Sequence, residues 1–125
     1  EAMNDPRHFD SALCPEGIRQ ASSLAQRGDA AGRPSSSDVQ LVVASSLSRA
    51  VHTAALVFPA SQGYPRPILC LDEIREFAGP PVSEKRRAVS AMRRHFRSPA
   101  MGLGAEEVDV SRLPEEDPLW RPAEE

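Results

Sequence analysis

Residues 41–54 read LVVASSLSRAVHTA, and this stretch decides the fold. The apolar run from Val39 to Ala44 contains β-branched residues and is typical of a short strand covered on both faces, as in a parallel sheet. Beyond it, the apolar residues follow the period of a helix, at Leu47, Val51, Ala54 and Phe58. The sequence therefore predicts a buried strand that leads directly into a helix.

Arg49 falls in or near the first turn of this helix, beside the carboxyl end of the strand. The hydroxyls of Ser45, Ser46 and Ser48 are candidates to cap the free N–H groups of that turn. Such N–H groups and the helix dipole favour an anion, and a guanidinium placed there can bind a phosphate through two hydrogen bonds. The alternative is an ordinary solvated arginine, because serines are common at helix starts with or without a ligand.

The length of 125 residues is enough for one domain but not for two. A net charge of −3 weighs against general binding of nucleic acid or other polyanions. No apolar run reaches the length of a transmembrane helix, and the chain, which begins at Glu1, shows no hydrophobic signal segment. Because Cys14 and Cys70 lack metal-ligand spacing, we expect reduced thiols and a cytoplasmic or organelle-matrix location, with no membrane partner.

Proline, glycine and serine residues indicate where further helices and strands begin and end. Pro15 begins a helix that Gly28 ends, with Cys14 as a weak cap, and residues 29–38 form a flexible linker. A second strand runs over residues 67–71, and Ser83 caps a helix from Glu84 to about Phe96. Residues 102–125 are an acidic, proline-rich tail, with Leu113, Leu119 and Trp120 as anchors.

Only two strands are visible, whereas sheets usually have about four to six. A parallel α/β domain on two strands would leave much apolar surface uncovered. We therefore expect residues 1–125 to be a single incomplete domain, or a domain whose sheet is completed by something outside this chain.

Three segments follow known motifs in the right order. Residues 46–54, SLSRAVHTA, resemble S-x-L-x-R-A-x-x-T-A; residues 9–21 resemble D-A-x-L-T-P-x-G-x-x-Q-A; and residues 71–79 resemble L-x-x-x-L-R-E-x-x-G. Residues 115–122 are similar to a D-x-D-x-L-W-x-P stretch, which occurs in a eukaryotic branch of the same family. These motifs are those of the histidine phosphatase superfamily, also called phosphoglycerate mutase-like proteins, and the resemblance covers nearly the whole chain.

The resemblance implies a partial three-layer α/β/α domain with a mostly parallel sheet. It also implies a reaction without metal or cofactor on a small phosphorylated metabolite. In the family, a histidine of an R-H-G motif attacks the phosphoryl group, while a late histidine and two arginines hold its oxygens and a carboxylic acid protonates the leaving oxygen. Such chemistry requires positioning, positive charge and a proton donor.

Four residues of this chain match the implied site. Arg49 corresponds to the second arginine and Glu76 to the acid, while Arg86 and Arg87 resemble a pair that contacts the far end of the substrate. The alternative for Glu76 is an ordinary surface carboxylate. For Arg86 and Arg87 it is a solvated basic helix face that balances the acidic tail, and the residues alone favour that interpretation.

The nucleophile has no convincing counterpart. Arg7-His8-Phe9 has phenylalanine where the motif requires glycine, no strand precedes it, and it lies directly before the second motif. His52 and His95 lie within predicted helices, where structural or solvated roles are expected. The sequence thus predicts a fragment that lacks the R-H-G motif and the C-terminal histidine and is inactive alone.

Two functions of other classes remain as alternatives. One is a catalytically inactive module that binds or senses a phosphorylated ligand. The other is nucleic-acid binding through Lys85 to Arg97, which the net charge and the lack of interleaved aromatic residues disfavour. The sequence does not distinguish a mutase from a phosphatase and does not indicate the oligomeric state.

Overall fold

The structure, a computed structural model, describes residues 9–75 and 82–121. Its helices and strands, in chain order, are α1 (Pro15–Arg27), β1 (Val43–Ser45), α2 (Ser48–Val57), β2 (Ile68–Leu71), α3 (Val89–Phe96) and β3 (Val108–Asp109). Short 3-10 turns connect several of them, and two of these, Asp72–Ile74 and Val82–Glu84, flank the undescribed residues 76–81.

The three strands form one sheet in the order β1-β2-β3, and all pairs are parallel. Val43 is opposite Leu69, and Ile68 is opposite Val108. In a parallel sheet the carboxyl ends of the strands lie at one edge, so the residues that follow β1 and β2 meet there. The predicted α/β class with a parallel sheet is confirmed.

The core lies on one face of this sheet. Ala44, Cys70 and Val108 point to that face and are buried together with apolar residues of the helices, Val51 of α2 and Met92 of α3 among them. The predicted covering of β1 on both faces is not found among the described residues. Val51 of α2 and Met92 of α3 pack on the same side of the sheet, and Val43 on the other side is 38% exposed.

The predicted helix after Pro15 is confirmed, and so is its cap. The thiol of Cys14 accepts a hydrogen bond from the N–H of Gly17 at 3.4 Å, and Gly28 ends α1 with a φ of 60° that favours glycine. Both cysteines are free: Cys14 is exposed and Cys70 is buried. Burial, with the nearby Asp109 and Asp72, raises the pKa of the Cys70 thiol to about 12, so it is an inert core residue.

The predicted helix from Glu84 to Phe96 is wrong in its first half, since α3 begins only at Val89. A helix begun at Glu84 would use the N–H of Val89 internally, but this group donates to the carbonyl of Glu115 at 2.9 Å. The N–H of Arg86 donates to Asp117 Oδ2 at 3.0 Å. The C-terminal segment thus provides partners that hold residues 85–88 outside the helix.

Residues 29–38, predicted to be a flexible linker, include most of the 3-10 turn Gly28–Ala31 and all of the 3-10 turn Ser36–Asp38. Arg33 donates to the carbonyl of Val57 at 2.6 Å, and the hydroxyl of Tyr64 donates to the carbonyl of Pro34 at 2.5 Å. These contacts dock the segment on the end of α2, while its flexibility stays a prediction.

The acidic tail contributes to the core as far as the structure describes it. Leu103, Val108, Val110 and Leu113 are all buried, and β3, which the sequence did not predict, lies within the tail. Of the predicted anchors, Leu113 is buried and Leu119 is 44% exposed. A two-residue strand carries too little periodicity to be recognised without its partner.

No helix within residues 9–75 and 82–121 has the length and apolar character needed to span a membrane.

Candidate active site at the carboxyl edge of the sheet

The edge of the sheet is organised by a buried serine and a buried aspartate. Ser46 follows β1 and Asp72 follows β2, so the parallel pairing of the strands places them side by side. The hydroxyl of Ser46 donates to Asp72 Oδ1 at 2.5 Å, and both residues are buried. This bond connects the two turns that leave the sheet at the predicted site.

Arg86 binds the same aspartate and is itself 1% exposed. Its Nε lies 2.8 Å from Asp72 Oδ1, and its Nη2 lies 3.3 Å from Oδ2. The two Nη groups also donate to backbone carbonyls, those of Arg87, Pro114, Glu115 and Glu116. All donors of this guanidinium are therefore satisfied inside the chain, which is the geometry of a structural arginine rather than of a ligand-binding one.

Arg49 lies in the first turn of α2, directly beyond the carboxyl end of β1, as the sequence places it. Its Nη1 donates to the carbonyl of Ser83 at 2.9 Å, and its Nη2 contacts Glu84 Oε1 at 3.3 Å. The side chain is 32% exposed and lines an open cavity of about 470 Å³ beside β1. Arg49 is thus accessible to a ligand, although a carboxylate already faces it.

The N-terminus of α2 is capped by Asp10, a residue that the sequence did not single out as a cap. Its carboxylate accepts from the N–H of Ser48 at 2.8 Å and also from the Ser48 hydroxyl. The predicted capping of this turn by serine hydroxyls is wrong: Ser45 Oγ accepts at 3.2 Å from the N–H of Leu47, which lies before the first residue of α2. Ser46 and Ser48 instead donate to the carboxylates of Asp72 and Asp10.

Arg87 lies on the other side of Asp10. Its Nε is 3.0 Å from Asp10 Oδ2, its guanidinium carbon is 5.5 Å from the centre of the Phe9 ring, and its side chain is 28% exposed. The two adjacent arginines therefore differ: Arg86 is enclosed, whereas Arg87 keeps an exposed part.

Arg75 is a fourth arginine at this edge of the sheet that pairs with a carboxylate. Its Nη1 lies 2.7 Å from Asp117 Oδ1, its Nη2 donates to the carbonyl of Glu84, and its side chain is 1% exposed. Four arginines at this edge are thus each paired with a carboxylate, Arg49 with Glu84, Arg75 with Asp117, Arg86 with Asp72, and Arg87 with Asp10. We call these eight residues the arginine edge.

A model of the histidine phosphatase superfamily (branch 1) matches residues 4–106, which is most of the chain. The chain belongs to this superfamily. Searches of curated proteins and of solved structures found no significant match.

Membership of the histidine phosphatase superfamily accounts for the architecture. The three helices and the parallel three-stranded sheet of the described residues are those of a partial α/β domain of the phosphoglycerate mutase type. The match includes β1, α2 and β2, the elements that position Arg49 and Asp72.

The predicted acid, Glu76, lies outside the described residues. Its neighbour Arg75 binds the carbonyl of Glu84, and Arg49 binds the carboxylate of the same residue. Arg75 and Arg49 thus contact the same residue, Glu84. The role of Glu76 stays a prediction.

His52 and His95 are both largely enclosed, and His8 lies outside the described residues. Burial lowers the pKa of His52. Burial also lowers the pKa of His95, helped by Arg87 and His52 and opposed by Asp10. His52 of α2 and His95 of α3 both favour the neutral form, which is consistent with the structural roles expected from the sequence.

The predicted basic helix face does not form as one surface. Lys85, Arg86 and Arg87 precede α3, and Lys85 places its ammonium 4.7 Å from the centre of the Trp120 ring. Only the later arginines, Arg93, Arg94 and Arg97, are exposed on or next to α3. This arrangement separates the basic residues into structural and solvated groups.

Proposed function

We propose that this chain is the phosphate-binding part of a histidine phosphatase domain. The intact form of that domain would transfer or hydrolyse a phosphoryl group of a small phosphorylated metabolite through a phosphohistidine. The observation that carries the proposal is the place of Arg49, in the first turn of α2 beyond the carboxyl end of β1, with part of its guanidinium accessible.

The physical reason is the charge of the reacting group. A phosphoryl group in transfer carries negative charge on its equatorial oxygens, and catalysis consists mainly of positioning and of placing positive charge around them. Arg49 would supply that charge. Glu76 is proposed as the acid that protonates the leaving oxygen.

The two arginines proposed to contact the far end of the substrate divide under this proposal. Arg87 retains an exposed part and is the better candidate for that contact. Arg86 supports the site in a different way, because it holds Asp72 and, through Asp72, Ser46 at the end of β1. We therefore propose a positioning role for Arg86.

The alternative proposal is an inactive module that binds a phosphorylated ligand. It is favoured by the sequence around His8, which lacks the glycine of the R-H-G motif, and by the enclosure of His52 and His95 in helices. Both proposals require anion binding at Arg49, and they differ in whether a histidine becomes phosphorylated.

Titration of the chain with inorganic phosphate and with orthovanadate tests both proposals. We expect saturable binding that Arg49→Ala weakens by about tenfold or more, as expected for a charge-assisted contact. Arg94→Ala, at an exposed arginine of α3, is the matched control and should leave binding unchanged. Absence of saturable binding by the parent chain would contradict the proposal.

An assay with p-nitrophenyl phosphate tests whether this chain contains a nucleophile. We expect no turnover by this chain. Turnover that His8→Ala abolishes would show that our rejection of His8 as the nucleophile is wrong.

A further inference from the structure

The guanidinium that the proposed function assigns to the ligand is already in contact with an acid. Glu84 Oε1 lies 3.3 Å from Nη2 of Arg49, and the Glu84 side chain is only 16% exposed. The resemblance to the family assigns no role to Glu84. Its carboxylate occupies the position beside Nη2 that an oxyanion would take.

We propose that Glu84 is an internal competitor for Arg49 and thereby determines which anions bind. A ligand that binds the N–H of Nη2 facing Glu84 must first displace the carboxylate. The site then accepts dianions such as phosphomonoesters and discriminates against monoanionic carboxylates. This inference rests on the proposed function, because it requires that Arg49 bind a phosphate.

The contact has the geometry of a pair that a stronger anion can replace. It is a single contact at 3.3 Å rather than a bidentate pair, and Arg49 is partly exposed. A pair held by one long contact, with one partner partly exposed, is weaker than a bidentate pair. A phosphate dianion carries twice the charge of a carboxylate and can bind through Nη2 and the adjacent Nε together. A carboxylate ligand has the same single charge as Glu84, so it gains no advantage of charge when it displaces Glu84.

Displacement requires little rearrangement of the backbone. The carbonyl of Ser83 accepts from Nη1 of Arg49 at 2.9 Å, and the carbonyl of Glu84 accepts from Arg75. These bonds hold the 3-10 turn Val82–Glu84 while the Glu84 side chain rotates away. The Nη1 group stays anchored to Ser83, so the guanidinium keeps its orientation when a ligand replaces Glu84.

Removing the negative charge of Glu84 should raise the affinity of the chain for anions. Isothermal titration with inorganic phosphate, and separately with acetate, is carried out at constant ionic strength for the parent chain and for Glu84→Gln. We expect Glu84→Gln to bind phosphate roughly fivefold tighter and to gain measurable acetate binding, since a pair of this kind is worth up to about that factor. Glu73→Gln removes the same charge from an exposed residue of the turn after β2 and should match the parent.

Two further variants make the outcomes separable. Arg49→Ala combined with Glu84→Gln should lose the gain, because the competitor acts only through Arg49. Should Glu84→Gln not fold, Glu84→Asp shortens the reach of the carboxylate and should show a gain in the same direction.

The results distinguish the two proposals. If Arg49→Ala weakens phosphate binding but neither Glu84 variant tightens it, the competitor role is wrong and the proposed function stands. If Arg49→Ala leaves phosphate binding unchanged, or the parent does not bind, both proposals are wrong.

Discussion

Asp72 and Arg86 form a buried salt bridge in which Nε lies 2.8 Å from Oδ1, with side-chain exposures of 5% and 0%. Asp72 follows β2, and the same guanidinium binds the carbonyls of residues 114–116. This pair therefore ties the proposed ligand-binding edge to the C-terminal segment. A disturbance of the pair should affect the stability of the whole domain.

Replacing Asp72 tests that connection. Asp72→Ala leaves the Arg86 charge buried without its partner and removes the acceptor of the Ser46 hydroxyl. We expect the free energy of unfolding to fall by about 3–5 kcal/mol, measured by urea denaturation. Glu73→Ala, at the exposed neighbouring residue, should change it by less than about 0.5 kcal/mol. Equal effects of the two variants would contradict a structural role for the pair.

Asp10 should be important for the N-terminus of α2. Asp10→Ala removes the acceptor of two Ser48 groups and the partner of Arg87. We expect a loss of about 2–3 kcal/mol in unfolding free energy, together with faster amide hydrogen exchange in the first turn of α2. The exposed Asp38 provides the control variant Asp38→Ala. Unchanged exchange at Ser48 would show that Asp10 is not the cap.

Because of Asp117, we expect the folding stability to depend on pH in the acidic range. Burial raises the pKa of Asp117, but hydrogen bonds from Arg75 and from the N–H groups of Arg86, Leu119 and Trp120 outweigh this and lower it to about 2. A lowered folded-state pKa stabilises the fold above the ordinary value of 3.8, and this contribution is lost as the pH falls toward 2.

The measurement is the unfolding free energy of the parent and of Asp117→Asn between pH 6 and pH 2. The variant should be less stable at pH 6 by on the order of 1–2 kcal/mol, and the difference should shrink below pH 4. A difference that stays constant over this range would contradict the assignment.

Because of His52 in α2 and His95 in α3, we expect a second, milder dependence of the folding stability on pH. The pKa values of His52 and His95 are both lowered, mainly by burial, while Arg87 and Asp10 have opposite effects on His95. Below the ordinary value of 6.5 the unfolded chain takes up protons that the folded chain resists, so stability falls as the pH drops through 6.5.

The double variant His52→Gln, His95→Gln should show a flatter profile of unfolding free energy between about pH 7.5 and 5.5 than the parent chain. His8→Gln, at a histidine that the sequence predicts to be exposed, is the matched control and should leave the profile unchanged. The interpretation would be wrong if the double variant kept the slope of the parent.

The sequence predicted the elements whose signals are local. The proline and glycine at the ends of α1 and the apolar spacing of α2 gave these helices nearly correct bounds, and Arg49 fell in the predicted turn. The start of α3 was wrong because the partners that delay it, Glu115 and Asp117, lie in a distant part of the chain. The third strand was missed because two residues carry no detectable period.

The sequence by itself determined the α/β class, the family motifs and the place of Arg49 at a strand-to-helix turn, since periodicity and end signals act between near neighbours. Only the tertiary structure decided which carboxylate faces each arginine. Asp10 meets the turn of Ser48 across 38 positions, and Arg75 meets Asp117 across 42. Such pairing depends on distance in space, and the burial that distinguishes Arg86 from Arg87 is likewise a property of the packed chain.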